Sequence, residues 1–251
     1  MKKFYQAEWQ GIRFSDFTVL SSTNLAGPAF YQSFYDEFFK RYQGWEQLSS
    51  SWRKEKERCA EFILARSGTS SKVLSVGCGL GTMEHYIHAQ QPELDLLIHE
   101  VAPSAWRWVE NDFAKERKLL GLIPACLPSG MQFDLVYLCA VDYALSDDVL
   151  VDLLRAMRPV IKAGGQCLLI SASFQDTPAT LRARISSLVQ ESKAFAAAAL
   201  DVCGLRSRGQ FWGWMRSQKE YQTLMRRAGY RDIDEGFVDP GKRAHYWISG
   251  R

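Results

Sequence analysis

The sequence predicts an α/β fold: a doubly wound, mostly parallel sheet with helices on both faces. Three observations predict it. From residue 72 onward, short apolar runs alternate with segments of helical periodicity. One run, Phe133–Ala140, is continuously apolar after Asp134, as a strand buried on both faces requires. Another run ends at Val76 and breaks directly into a glycine-rich turn.

The chain has 251 residues, 47% hydrophobic and 24% charged. That suits one packed α/β domain with a small appended lid, and excludes a disordered or collagen-like chain. The net charge of +3 comes from scattered Lys and Arg, not from a stripe, so no nucleic-acid partner is expected. The six cysteines contain no CxxC pair and read as small, reduced core residues. The first residues lack the apolar core of a signal peptide. No apolar run approaches the ~20 residues of a membrane helix. The expectation is a cytoplasmic protein with no membrane insertion.

The elements follow in order. Phe30, Tyr31, Phe34, Tyr35, Phe38, Phe39 and Tyr42 recur at helical spacing and predict an amphipathic helix ending near Gly44. A second helix is expected over 52–66, with Gly68 placed to stop it. Together these form an aromatic-rich helical cap over residues 1–70. The first strand is 72–76, a helix runs over 80–90, and a second strand over 94–99 ends at Glu100. Residues 104–115 read as helix and 118–123 as a vague third strand. After the strand 133–140, Ser146 can cap a helix whose Asp147 and Asp148 face its positive end. Val149, Leu150, Leu153, Leu154 and Met157 give that helix an apolar stripe.

Ala163-Gly164-Gly165 then turns the chain into a fifth strand, 166–171. Residues 176–204 read as a long helix, part of a helical insertion over about 176–229 that ends with a capping-box helix from Ser217 to Gly229. Two late strands, 230–238 and 243–249, joined through Asp239-Pro240-Gly241, are expected to close the sheet with an antiparallel edge strand. Residues 71–251 thus form the main domain.

The functional signal lies in Val73-Leu74-Ser75-Val76-Gly77-Cys78-Gly79-Leu80-Gly81. Glycines at the end of a strand let backbone approach a ligand with no side chain between them. The spacing is G-x-G-x-G, and Thr82 stands where a dinucleotide fingerprint has its third glycine. A site for a pyrophosphate needs that opening at the helix start; a nucleoside without one does not. Glu100 stands 19 positions after Gly81, at the end of the second strand. A carboxylate there can accept from both hydroxyls of a ribose.

With Phe133-Asp134-Leu135-Val136, Leu154-Arg155-Ala156-Met157-Arg158-Pro159 and Gly164-Gly165, these residues resemble the class I S-adenosylmethionine-dependent methyltransferase family over roughly 72–173. Gly213-Trp214-Met215-Arg216-Ser217, Glu220-Tyr221 and Ala228-Gly229-Tyr230 resemble late elements of its small-molecule members. The resemblance implies a Rossmann-like, seven-stranded sheet and S-adenosyl-L-methionine as cofactor. It implies that Gly77, Cys78, Gly79 and Gly81 lie beneath the methionine and ribose, that Glu100 holds the ribose, and that Val101 packs on the adenine. Cys126 or Leu127 would border the adenine, and the Cys139 carbonyl would accept from the methionine ammonium. The chain departs from the family in Ile123-Pro124-Ala125-Cys126, which offers no acid to the adenine amino group.

Methyl transfer from a sulfonium needs alignment above all, and a base when the acceptor is a hydroxyl. Asp142 and Tyr143 follow the fourth strand on the sheet's carboxyl edge, where ligands bind in such folds. Asp142 can take a proton or hold a hydroxyl, or simply cap the loop. Of the four histidines, His245 is the candidate base; His85 and His88 lack a third ligand, so no metal is expected. The aromatic helix can close over the site as a lid or pack as ordinary core, and Trp212, Trp214 and Arg216 can line the acceptor pocket or be core.

The acceptor class expected is a small molecule, sugar or glycan, attacked at oxygen or, as the lesser alternative, at nitrogen. Ala140-Val141-Asp142-Tyr143 is no Asn-Pro-Pro-Tyr-like phrase, which disfavours DNA amino-methylation. A non-catalytic binding or assembly module of the same fold stays open as the alternative, and Thr82 disfavours a dehydrogenase. The acceptor and the oligomeric state are not legible.

Overall fold

The computed structural model describes residues 2–68, 71–175, 208–241 and 244–251. The chain begins with strand β1 (Lys2–Gln6) and a small hairpin of β2 (Glu8–Trp9) and β3 (Ile12–Arg13). Helices α1 (Pro28–Arg41) and α2 (Ser50–Leu64) follow. Pro28 opens α1 in its first turn, where a missing N–H costs nothing.

The main sheet is built from β4 (Lys72–Val76), β5 (Asp95–Glu100), β6 (Lys118–Leu120), β7 (Phe133–Cys139) and β8 (Ile161–Ser171), with α3 (Thr82–Gln90) and α4 (Asp147–Met157) between them. Later come β9 (Gln210–Met215), α5 (Gln218–Arg227), β10 (Asp234–Asp239) and β11 (Ala244–Gly250). Seven strands pair in the order β6-β5-β4-β7-β8-β11-β10. The first five run parallel, and β11 is antiparallel to both its neighbours.

Side chains alternate between two cores. Leu74, Val136, Leu138 and Leu169 pack with Leu150, Leu154, Tyr221 and Leu224 of α4 and α5. Val73, Leu135, Tyr137 and Leu168 pack with Cys59, Ile63, Met83 and Ile87 of α2 and α3. Burial on both faces is why these strands read as unbroken apolar runs. Ser146 caps α4 by accepting from the Val149 amide, and Ser217 with Glu220 forms a reciprocal capping box on α5.

Several expectations are corrected. The antiparallel strand is not at the edge: β11, with buried Tyr246, Trp247 and Ile248, lies inside, and the more acidic β10 takes the edge. Residues 104–115 form no α-helix but two 3-10 turns, Pro103–Trp108 and Lys115–Arg117. Crowded tryptophans and Asn111-Asp112 favour turns there. Gly164-Gly165 lies within β8, because Gly165 passes so close to the Asp134 carbonyl that a Cβ would stand 2.9 Å from it. Val149 leaves the apolar stripe of α4, being 52% exposed, while Val151 is buried in its place.

Within the expected helical insertion, residues 210–215 are strand β9, paired antiparallel with β1. Its aromatic side chains find partners some two hundred residues away, which no local window reveals. The long helix expected over 176–204 lies outside the described residues.

Candidate active site

The carboxyl end of β4 leads into a turn in which Gly77, Gly79 and Gly81 all have positive φ, 71°, 57° and 68°. At two of them space is equally decisive. A Cβ on Gly77 would stand 2.7 Å from Val141, and one on Gly81 2.6 Å from Val109. The turn is pinned to β5: the amides of Gly77 and Cys78 both donate to the His99 carbonyl at 3.0 Å. His99 Nε2 lies 2.7 Å from the Gly121 carbonyl, which accepts only if that nitrogen carries the proton. Nδ1 then accepts from the Gly77 amide at 3.3 Å. Burial lowers the His99 pKa, so the ring is a neutral spacer between strands.

Glu100 is oriented by backbone. Its Oε2 accepts from the Gly79 amide at 2.9 Å and its Oε1 from the Val101 amide at 2.7 Å. Each oxygen keeps a free lone pair, and Glu100 borders a cavity of about 1010 Å³. Small-molecule sites run from ~300 to 1,000 Å³, so there is room for more than one ligand.

Gly77, Cys78, Gly79, Glu100, Val101, Cys139, Tyr143 and His245 all line this cavity. The structure therefore brings together eight of the twelve residues singled out in the sequence. Gly81 lies beneath, as the left-handed cap of α3 against Val109. Cys126 and Leu127 do not reach the wall. Their amides bond back to Leu122 and Pro124, a turn that presents Leu122, Ile123 and Pro124 to the cavity instead.

Asp142 does not reach it either. It is fully buried, its Oδ2 accepting from Tyr221 Oη at 2.5 Å and Ser171 Oγ at 2.8 Å. Burial pushes its carboxyl pKa up, and it ties β7 to α5 and β8. Asp142 is a structural carboxyl, not a base within reach of an acceptor.

The opposite wall is aromatic. Trp9, Tyr31, Phe34, Tyr35, Trp212 and Trp214 face the cavity, while Phe38 and Phe39 of the same helix pack inward. One face of α1 thus lines the cavity while another is core. Leu122 and Val149, 72% and 52% exposed, add apolar surface that a ligand can cover. Burial raises the pKa of both Tyr31 and Tyr143 above the ordinary tyrosine value, so both stay protonated. At His245 burial first, and the nearby Lys56 charge second, lower the imidazole pKa. Its backbone φ of 53° is unusual for a non-glycine residue. Arg216 is fully buried behind the wall, not part of it.

Two lining residues carried no sequence signal. Glu84 of α3 is buried with Oε1 accepting from Ser75 Oγ at 2.6 Å and Tyr137 Oη at 2.9 Å, while Oε2 has no hydrogen-bond partner among the described residues. Lys56 of α2 is the one Lys or Arg among the lining residues described. Both come from helices whose sequence predicts only an amphipathic face. Among the described residues no group of three His, Cys, Asp or Glu is placed to hold a metal. No described helix is long and apolar enough to cross a membrane.

The chain matches no protein-family model and no curated protein sequence. Solved structures do match. Human N-acetylserotonin methyltransferase in complex with SAM superposes with a TM-score of 0.53 at 16% identity, covering 90% of this chain and 56% of that one. The mitomycin 7-O-methyltransferase MmcR gives 0.56 at 18%, over 89% of this chain and 58% of that one. PigF with SAH gives 0.55 at 19%, over 90% and 60%. The fold is that of adenosylmethionine-dependent methyltransferases. The chain spans about three fifths of the length of these structures.

Proposed function

We propose that this protein is an S-adenosylmethionine-dependent methyltransferase that methylates a small-molecule acceptor at oxygen. One observation carries the reading: a glycine turn with open backbone faces the cavity beside a carboxylate that two amides aim into it. The residues fit the cofactor. At Gly79 the nearest atom to an added Cβ is Tyr35 Oη at 3.4 Å, so a side chain there would occupy cavity space. Glu100 offers lone pairs to a ribose, and the Glu84 oxygen without a partner suits a cationic group.

When bound, the cofactor supplies an activated methyl group. The chain's own residues align, dehydrate and deprotonate. The aromatic wall excludes water and gives a flat acceptor surface to stack on. Tyr31 and Tyr143, held protonated by burial, position a polar group by hydrogen bonding. His245, neutral near pH 7 because its pKa is lowered, is the group on this wall suited to accept a hydroxyl proton. A general base of this kind is worth about 10²–10⁴ in rate. The acceptors named for the solved relatives are compatible with such a pocket, and a sugar or glycan hydroxyl meets the same chemistry.

Calorimetric titration with S-adenosylhomocysteine tests the reading. Micromolar binding is expected, weakened at least tenfold (about 1.4 kcal/mol) in Glu100→Ala. No binding by the wild type overturns it. Binding without turnover on any oxygen acceptor favours a non-catalytic module of the same fold.

A further inference from the structure

One charged side chain on the cavity wall has no opposite charge bound to it. Lys56 of α2 is half-buried and lines the cavity. Its ammonium carries three donors. Among the described residues it finds one acceptor, the Cys139 sulfur at 3.8 Å, and a thiol accepts only weakly. No carboxylate of the described residues forms an ion pair with it, although Glu55 and Glu84 line the same cavity. The ring of Trp52, also on the wall, lies 5.7 Å from the nitrogen. An ammonium drawn out of water is costly unless it is paired, and the space that this one borders is the cavity.

We propose that Lys56 is the anchor for a carboxylate on a ligand bound in the cavity. An ammonium and a carboxylate meet through charge-assisted hydrogen bonds, which are shorter and stronger than neutral ones. Two ligands can bring that group. The amino-acid end of adenosylmethionine carries a carboxylate beside an ammonium, and the unpartnered oxygen of Glu84 suits the ammonium. A flat hydroxy acid as acceptor is the other source, since the aromatic wall and His245 share the cavity with Lys56. The first source rests on the function proposed above; the second does not.

Lys56 holds charge and does not take protons. Burial opposes its charge, but the groups around it, Cys139 first, more than offset burial and raise its pKa. It stays an ammonium, and its charge helps to keep His245 neutral.

The test is calorimetry on the full chain with two pairs of probes. S-adenosylhomocysteine is compared with methylthioadenosine, which lacks the amino-acid end. Salicylate is compared with salicylamide, its neutral counterpart. The wild type is expected to prefer the acid of at least one pair by about tenfold or more (about 1.4 kcal/mol). Lys56→Met should abolish that preference, whereas Lys56→Arg keeps the cation and should retain most of it, which separates loss of charge from loss of fold. Lys56→Gln serves in the same role if the Met variant does not fold. Loss in the first pair assigns the carboxylate to the cofactor, and loss in the second assigns it to the acceptor. A preference unchanged in Lys56→Met, or absent from the wild type in both pairs, overturns the proposal. A wild type that binds neither nucleoside overturns the cofactor reading by itself, and the salicylate pair then decides the role of Lys56 alone.

Discussion

Glu84 shows how a single buried residue couples the fold to acid. Its carboxyl accepts from Ser75 and Tyr137 and lies 1% exposed, and burial raises its pKa above the unfolded value. The folded chain therefore binds that proton more tightly than the unfolded one. The contribution is fully present below the unfolded pKa and is lost as pH rises through the raised value. Replacing Glu84 with Gln removes the titration. The Tm of Glu84→Gln relative to wild type should rise as the pH climbs above the ordinary glutamate range in scanning fluorimetry. A constant difference would mean that Glu84 does not titrate with folding. Asp142 carries the same sign and keeps its share in the variant. At this scale the glycines and Glu100 were legible because they sit at strand ends, where spacing alone implies a ligand face. Glu84 and Lys56 were not, since their partners Ser75, Tyr137 and Cys139 come from other elements. Asp142 was legible as a loop carboxyl, but its burial depends on Tyr221, 79 residues on.

Between elements, one guanidinium holds β9 against the loop that follows β7. Arg216, 0% exposed, donates to Asp147 Oδ1 at 2.8 Å and to the carbonyls of Asp142 at 2.7 Å and Leu145 at 2.5 Å. Arg216→Ala leaves Asp147 without this partner and removes the donor to the Leu145 carbonyl, while the Asp142 carbonyl keeps the Leu145 amide. It should cost about 3–5 kcal/mol in urea unfolding. A loss below about 1 kcal/mol would show that the loop is held by other contacts. Strands β4, β5 and β7 could be located in the sequence because burial on both faces leaves a continuous apolar run. Strand β9 could not, since its register against β1 is set by pairing across most of the chain. The interior place of β11 was likewise invisible: a turn signal shows that two strands are antiparallel, not which of them faces the sheet.

Over the whole molecule, the aromatic cap and the sheet domain are joined through Trp212. Its indole stacks on Phe14 at 4.8 Å and contacts Phe30 and Tyr31 of α1 at 5.7 Å and Tyr143 at 6.1 Å. Trp212→Ala empties a site shared by both parts and should cost about 3–5 kcal/mol. In a chain of this size that is a fall in Tm of about 6–20 °C, measurable by calorimetry. A small fall would mean that the cap closes over the gap. The doubly wound architecture was legible from alternation of strand and helix. The cap's role was not, because one periodic stripe, Phe30 to Tyr42, supplies both core and cavity wall.

The cavity wall draws on Phe4 and Trp9 near one end of the chain and on His245 near the other. No contiguous stretch emerging from a ribosome contains it. A nascent chain lacks its last wall until β11 has been inserted beside β8, a late and non-local step. Occupancy of the pocket is therefore a report that folding has brought β1 and β11 to the same site. A ligand bound there at a hundred times its Kd adds about 2.7 kcal/mol to the whole molecule, not to one part of it.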